Sequence, residues 1–150
     1  MTIASDKKID AIFLAEQGLY VFPLRPGSKG PFSKTEIGGG WKECSTNDPA
    51  KIIEWINHYR ECNFGVDCEK SGLFVIDVDN KNGKNGSQEL ERLELNHGRL
   101  PATFITETPS GGFHYYFRGS GKSTQDRLGP GIDTKSRGGY VVAPGSSIDG

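Results

Sequence analysis

Cysteine is scarce in this chain of 150 residues, and its three thiols form no familiar framework: Cys44, Cys62 and Cys68 are odd in number and include no CxxC pair. A disulfide scaffold and a zinc ribbon are both excluded on that ground, which leaves buried, unreactive thiols as the expectation. Long apolar runs are missing too. No stretch approaches the length of a membrane span, and the start, MTIASDKKID, lacks the charged-then-apolar layout of a secretory signal. The expected location is therefore the cytoplasm, with no membrane partner. Excess charge is absent as well: 18 basic against 19 acidic residues give a formal net charge of -1. That excludes a protein that grips nucleic acid by bulk charge, so any such contact must come from local patches. Neither an internal repeat nor an interdomain linker is visible, and this length suits one domain spanning 1–150.

Glycine, by contrast, is abundant at 21 residues, which implies many turns and close backbone approaches. Ile9, Ile12, Phe13 and Leu19 at near-helical spacing predict an amphipathic helix over about Asp6 to Gln17, stopped by Gly18. Tyr20 to Leu24 reads as a strand. A Gly-, Pro- and Lys-rich loop from Arg25 to Trp41 follows, of a length usually functional or mobile. Asn47 or Asp48 caps a helix with Pro49 early in it and Ile52, Ile53, Trp55 and Ile56 on its apolar side. Strands are expected at Asn63 to Asp67, Leu73 to Asp79, Phe104 to Glu107 and Gly112 to Arg118. A helix carrying Leu90, Leu93 and Leu95 ends near Gly98. Residues 119 to 130 read as a mobile polar segment, before short strands around Ile132 and from Tyr140 to Ala143.

Four constellations can carry chemistry. In Leu73 to Asp79, alternation puts Leu73, Val75, Asp77 and Asp79 on one face and Phe74, Ile76 and Val78 on the other. Asp77 and Asp79 are then about 6.7 Å apart along the strand, so two carboxylates can converge on a hard divalent cation such as Mg2+ or Mn2+. The plainer alternative is that both aspartates start a turn. A calcium loop is excluded, because the positions that need glycine and glutamate hold Asn82 and Gln88.

The second constellation is Thr108-Pro109-Ser110-Gly111-Gly112-Phe113-His114. Paired glycines expose amide donors and Ser110 adds a hydroxyl, a composition suited to a phosphate or sugar cradle. His114 shares a face with Gly112 and Tyr116, while Phe113, Tyr115 and Phe117 form the face expected to be buried. Third, Gly131 to Gly139 places Asp133 before Lys135 and Arg137, a carboxylate followed by two groups that answer phosphate charge. Its likeness to a P-loop fails, since no glycine precedes Lys135 and no helix follows. Fourth, residues 118–137 carry five basic against two acidic side chains, and 25–42 four against one. Lys29 and Lys34 fall in the second stretch, where Trp41 is either a base-stacking ring or an anchor on the core.

Taken in order, Asp77-x-Asp79, Ser110-Gly-Gly-x-His114 and Ile132-Asp133 resemble the three motifs of the archaeo-eukaryotic primase superfamily. The similarity is to its bifunctional primase-polymerase (Prim-Pol) N-terminal domains, and it extends to Val21-Phe22-Pro23-Leu24, Gly39-Gly40-Trp41-Lys42 and the run from Gly139 to Ser146. The resemblance covers about Ile9 to the C-terminus. It implies an α+β fold: a mixed β-sheet with flanking helices, made of an RRM-like catalytic core plus an N-terminal αβ unit. It also implies a metal-dependent nucleotidyltransferase, a DNA primase or polymerase active in replication of a plasmid, phage or integrated element. Asp77, Asp79 and Asp133 would bind Mg2+ or Mn2+, and His114 the triphosphate, with Ser110, Gly111, Gly112, Lys135 and Arg137 also on the nucleotide. Lys29, Lys34 and Trp41 are candidates for phosphate or template. The implied partners are single-stranded DNA, nucleoside triphosphates and a helicase region or protein.

Some relatives carry glutamate where this chain has Asp79, and others insert a zinc-binding stem, which is not visible here. Such domains usually continue beyond the point matching Gly150, so the expectation is a domain shortened at its C-terminus. Two other readings stand beside the polymerase. One is an inactive module that binds nucleotide or single-stranded DNA, and the other is a metal-dependent nuclease, in which the same carboxylates would activate water.

Overall fold

The computed structural model describes residues 3–148, with side chains from Asp10 onward. The chain forms two compact units: one comprises the residues up to Ser71 together with those from Tyr140 on, and the other is Gly72–Gly139. Helices and two antiparallel sheets make it an α+β protein, as the sequence leads one to expect.

The first unit holds α1 (Ile3–Glu16), β1 (Val21–Leu24), α2 (Lys34–Ile37), α3 (Trp41–Cys44), α4 (Pro49–His58), β2 (Asn63–Asp67) and, from the far end of the chain, β8 (Tyr140–Val142). Its sheet runs β1-β2-β8, with Val66 paired to Val21 on one side and Val141 on the other. The helix α1 is where expected, but its buried residues are Ala11, Leu14 and Ala15, whereas Phe13 is 53% exposed. The two alanines let α1 lie against α4, and apolar spacing alone could not show that the small residues are the packed ones. Ile9 lies outside the residues whose side chains are described. Helix α4 starts as predicted, with the Asp48 carboxylate accepting from the Ala50 amide at 3.0 Å and Pro49 following.

The expected long loop is more ordered than its composition suggests. Ser33 and Glu36 form a capping box on α2, and Arg25 pairs with Glu36 at 2.8 Å. Trp41 is an anchor: its ring stacks on Phe22 at 4.9 Å between centroids and meets Tyr140 edge-on at 5.0 Å. Phe22 in turn lies over Gly65, its cross-strand partner, where a Cβ would come 2.5 Å from the ring.

The second unit contains β3 (Leu73–Val78), α5 (Gly86–His97), β4 (Phe104–Glu107), β5 (Phe113–Arg118), β6 (Thr124–Gly129) and β7 (Ile132–Lys135). Its sheet order is β4-β5-β3-β7-β6, so the most apolar strand lies at the centre. Ile76, Val78 and Ile132 meet Leu90 of α5 in a core that Phe74, Leu93, Leu100, Phe113, Tyr115 and Phe117 extend. Helix α5 carries Leu90, Leu93 and Leu95 and ends at Gly98 as expected, and Leu95 is 82% exposed because only the Leu90 and Leu93 side faces the sheet. One expectation needs correction here. The segment expected to be mobile contains the strand β6, held by side chains as well as backbone: the Thr134 hydroxyl accepts from the Thr124 amide at 3.0 Å. Its polar, solvent-exposed residues carry no period-two apolar signal, which is why composition concealed it.

Candidate functional site

The alternation of β3 sets Asp77 on one face, and pairing then decides its neighbours. Asp77 is opposite His114 on β5 and opposite Asp133 on β7, so three residues far apart in sequence form one row across three strands. Residues paired across antiparallel strands project to the same side, and the contact confirms it: His114 Nε2 is 3.3 Å from Asp77 Oδ1. His114 is buried, at 7% exposure, and Asp77 fixes which way its ring faces. Phe113, Tyr115 and Phe117 do pack on the core, but only half-buried, while His114 and Tyr116 are the covered positions.

Asp79 extends the β3–β7 ladder by one rung, its amide donating to the Gly131 carbonyl at 2.7 Å. Its own carbonyl accepts from the Gly86 amide at 2.9 Å, and its carboxylate accepts from the Lys81 amide at 3.1 Å. Asp133 accepts from the Asp126 amide at 2.9 Å. Three carboxylates on adjacent strands offer hard oxygen donors only, a set that suits Mg2+ or Mn2+. Among the described residues, no three or more His, Cys, Asp or Glu side chains are gathered as a metal-holding group. The donor chemistry therefore fits a hard cation, while Asp79 and Asp133 are turned to backbone amides.

Sequence reasoning missed three residues that support this row. Asp126 takes a left-handed backbone, φ 52°, unusual for a residue with a side chain. In that conformation its amide reaches Asp133, and its carboxylate accepts from the Gly131 amide at 2.8 Å and pairs with Lys84 at 3.2 Å. Asn80 ties three elements together, accepting from the Ser87 amide at 3.0 Å and donating to the Ser87 hydroxyl at 2.8 Å and the Gly111 carbonyl at 3.1 Å. None of these had a motif to mark it, although a polar run after a strand is where turn-forming Asn and Asp belong.

The Gly131 amide, followed by Lys84, holds the Asp126 carboxyl below the usual aspartate range. The bond to Asp126 chiefly raises the Lys84 ammonium, with smaller contributions from the fields of Asp133 and Asp79. A depressed carboxyl stabilises the fold above its unfolded pKa of about 3.9, and the contribution disappears as pH falls through the lower folded value. In a carbon-detected NMR titration, Asp126 should therefore titrate below a reference aspartate. Lys84→Met should move it only part of the way back, since the Gly131 amide remains.

The glycine pair of the β4–β5 hairpin has a structural purpose different from the expected cradle. The Gly111 amide donates to the Thr108 carbonyl and the Gly112 amide to the Thr108 hydroxyl, both at 3.0 Å. Gly111 has φ 83°, and a Cβ on Gly112 would collide with the Val78 carbonyl. Both amides are thus engaged within the turn, so the groups this hairpin can offer a ligand are the Ser110 hydroxyl and His114. Lys135 is opposite Val75, one step from the Asp77 row on the same face, and Arg137 follows β7 with its Nε donating to the Gly121 carbonyl at 3.2 Å. Lys29 and Lys34 are exposed and Trp41 is half-buried, and all three are residues of the first unit.

Residues 11–150 match the family model for the bifunctional DNA primase/polymerase, N-terminal (Prim-Pol) domain, and the chain belongs to that family. A comparison with curated proteins gave no match. Membership indicates a primase/polymerase-type function and a nucleotidyltransferase, with DNA and nucleotides as substrates. Among the described residues, no helix is long and apolar enough to cross a membrane.

Proposed function

We propose that this Prim-Pol domain performs template-directed nucleotidyl transfer on single-stranded DNA, in the replication of a plasmid, phage or integrated element in the cytoplasm. The observation that carries the proposal is the row itself: Asp77 flanked by His114 and Asp133, with Asp79 one rung further along. In this reading Asp77, Asp79 and Asp133 would hold Mg2+ or Mn2+. When bound, such ions lower the pKa of the attacking 3′ hydroxyl and neutralise charge on the departing pyrophosphate. A phosphate oxygen of the incoming nucleotide would compete with Asp77 for the Nε2 proton of His114, which places the triphosphate beside the acidic row. Ser110, at the hairpin tip, would add a hydroxyl donor. Lys135 and Arg137 would offset the negative charge that the carboxylates alone would repel.

Incorporation of labelled nucleotides on single-stranded DNA, with Mg2+ or Mn2+, tests the reading. Extension that disappears in the Asp77→Ala/Asp79→Ala variant is the expected result, and products formed without a primer would add primase activity. Cleavage of DNA in the absence of nucleoside triphosphates would replace the reading with a nuclease. Nucleotide binding without turnover would replace it with an inactive binding module.

A further inference from the structure

Edge strands usually protect themselves with charge or proline, yet β4 opens with Phe104 and Ile105, exposed at 56% and 48%. Ile105 pairs with Tyr115, on the side of the sheet that carries the core. Phe104 is on the other side, opposite Tyr116, and there it heads a continuous strip of side chains. Its ring is 5.4 Å from that of Tyr116, which is 6.1 Å from His114, whose Nε2 reaches Asp77 at 3.3 Å. Tyr116 is a fixed support: it is buried, its hydroxyl is 3.3 Å from that of Thr106, and its carbonyl accepts from the Thr103 hydroxyl.

Charge divides this face along the strands. The acidic residues Asp77 and Asp133 share one row with His114, while the next row carries Lys135, opposite Val75. Arg118, exposed and two residues beyond Tyr116, falls on the same face one row further on. An exposed aromatic ring on a firm base, with the Arg118 cation on the next row of the neighbouring strand and a candidate reaction site further along the same strip, matches the chemistry of an unpaired nucleobase with a flanking phosphate. Aromatic stacking with a basic track is how sheet surfaces hold single strands without reading sequence.

We infer that Phe104 is a stacking platform for an unpaired template base, with Arg118 taking an adjoining phosphate. The inference rests on the polymerase reading for the strand's role as template, but binding can be measured without it. Fluorescence anisotropy of a labelled oligothymidylate, without nucleotide or metal, is the test, run beside an abasic oligonucleotide of equal length and charge. Phe104→Ala should weaken oligothymidylate binding on the order of tenfold and leave abasic binding unchanged, while Phe104→Trp should preserve the preference. Circular dichroism should show the exposed position tolerating both changes. Unchanged oligothymidylate binding in Phe104→Ala, or an equal loss on the abasic strand, would overturn the platform. So would an effect confined to the KM for nucleotide or to self-association, each of which would assign another occupant. If the wild type binds through Phe104 yet incorporates nothing, the platform stands and the polymerase reading fails. If it incorporates normally and Phe104→Ala leaves the template KM unchanged, the reverse holds.

Discussion

Asp77→Asn should reduce nucleotide incorporation on the order of 10³-fold, the scale seen when one preorganised electrostatic group is removed from a reaction centre. Asparagine keeps the shape of the side chain and leaves an oxygen to accept from His114 Nε2, now 3.3 Å from the carboxylate. What it removes is the negative charge at the centre of the row, between His114 and Asp133. Thermal unfolding should therefore hardly change, because the side chain is partly exposed and its neighbours keep their places. Mn2+ affinity, followed by electron paramagnetic resonance, should fall in parallel with the rate. Activity near wild type in a folded Asp77→Asn protein would remove the basis for the proposed reaction.

The second large effect is structural and reverses a rule of helix propensity. Gly86 opens α5, where alanine would ordinarily be favoured by up to about 1 kcal/mol. Here a Cβ would come 2.5 Å from the Gly131 carbonyl and 2.9 Å from that of Asp79, both backbone atoms without a side chain's freedom to move aside. Gly131 is equally confined, with φ 82° and its own Cβ position 2.8 Å from the Asp79 carbonyl. Gly86→Ala should thus destabilise by about 1–3 kcal/mol, the range for an overpacked interior. Urea unfolding would register it as a lower midpoint at unchanged slope. Incorporation should decline as well, since the same shift displaces Asp79. Leu95→Ala on the exposed side of α5, by contrast, should change stability by no more than about 0.5 kcal/mol.

These two cases show how differently the sequence and the fold contribute. Asp77 and Asp79 were legible because a period-two strand ending in Asp-x-Asp places both carboxylates on one face, a consequence of local geometry. The strand positions of Phe104, Phe113, Ile132 and Tyr140 and the cap at Asp48 were legible for the same reason. Each depends on residues only a few positions apart. The glycine-rich and basic segments around them marked His114 and Asp133 as candidates, and the motif resemblance added their roles and the family. Their alignment on either side of Asp77 is a matter of register between strands, which no single segment encodes.

Tertiary packing decided the rest. Asp126, Lys84 and Asn80 act through partners five to 42 residues away, so nothing local distinguished them from turn residues. The glycines at 111 and 112 looked like a cradle because sequence records the lack of a side chain and not its cause. In the folded unit, a left-handed turn requires the first and the approach of the Val78 carbonyl requires the second. Trp41 became an anchor once Phe22 and Tyr140 met it, and Phe104 an exposed ring once β4 took the sheet edge. Chain-local periodicity thus determined the elements and the acidic pair, whereas strand order and register, set by long-range burial, determined which side chains meet.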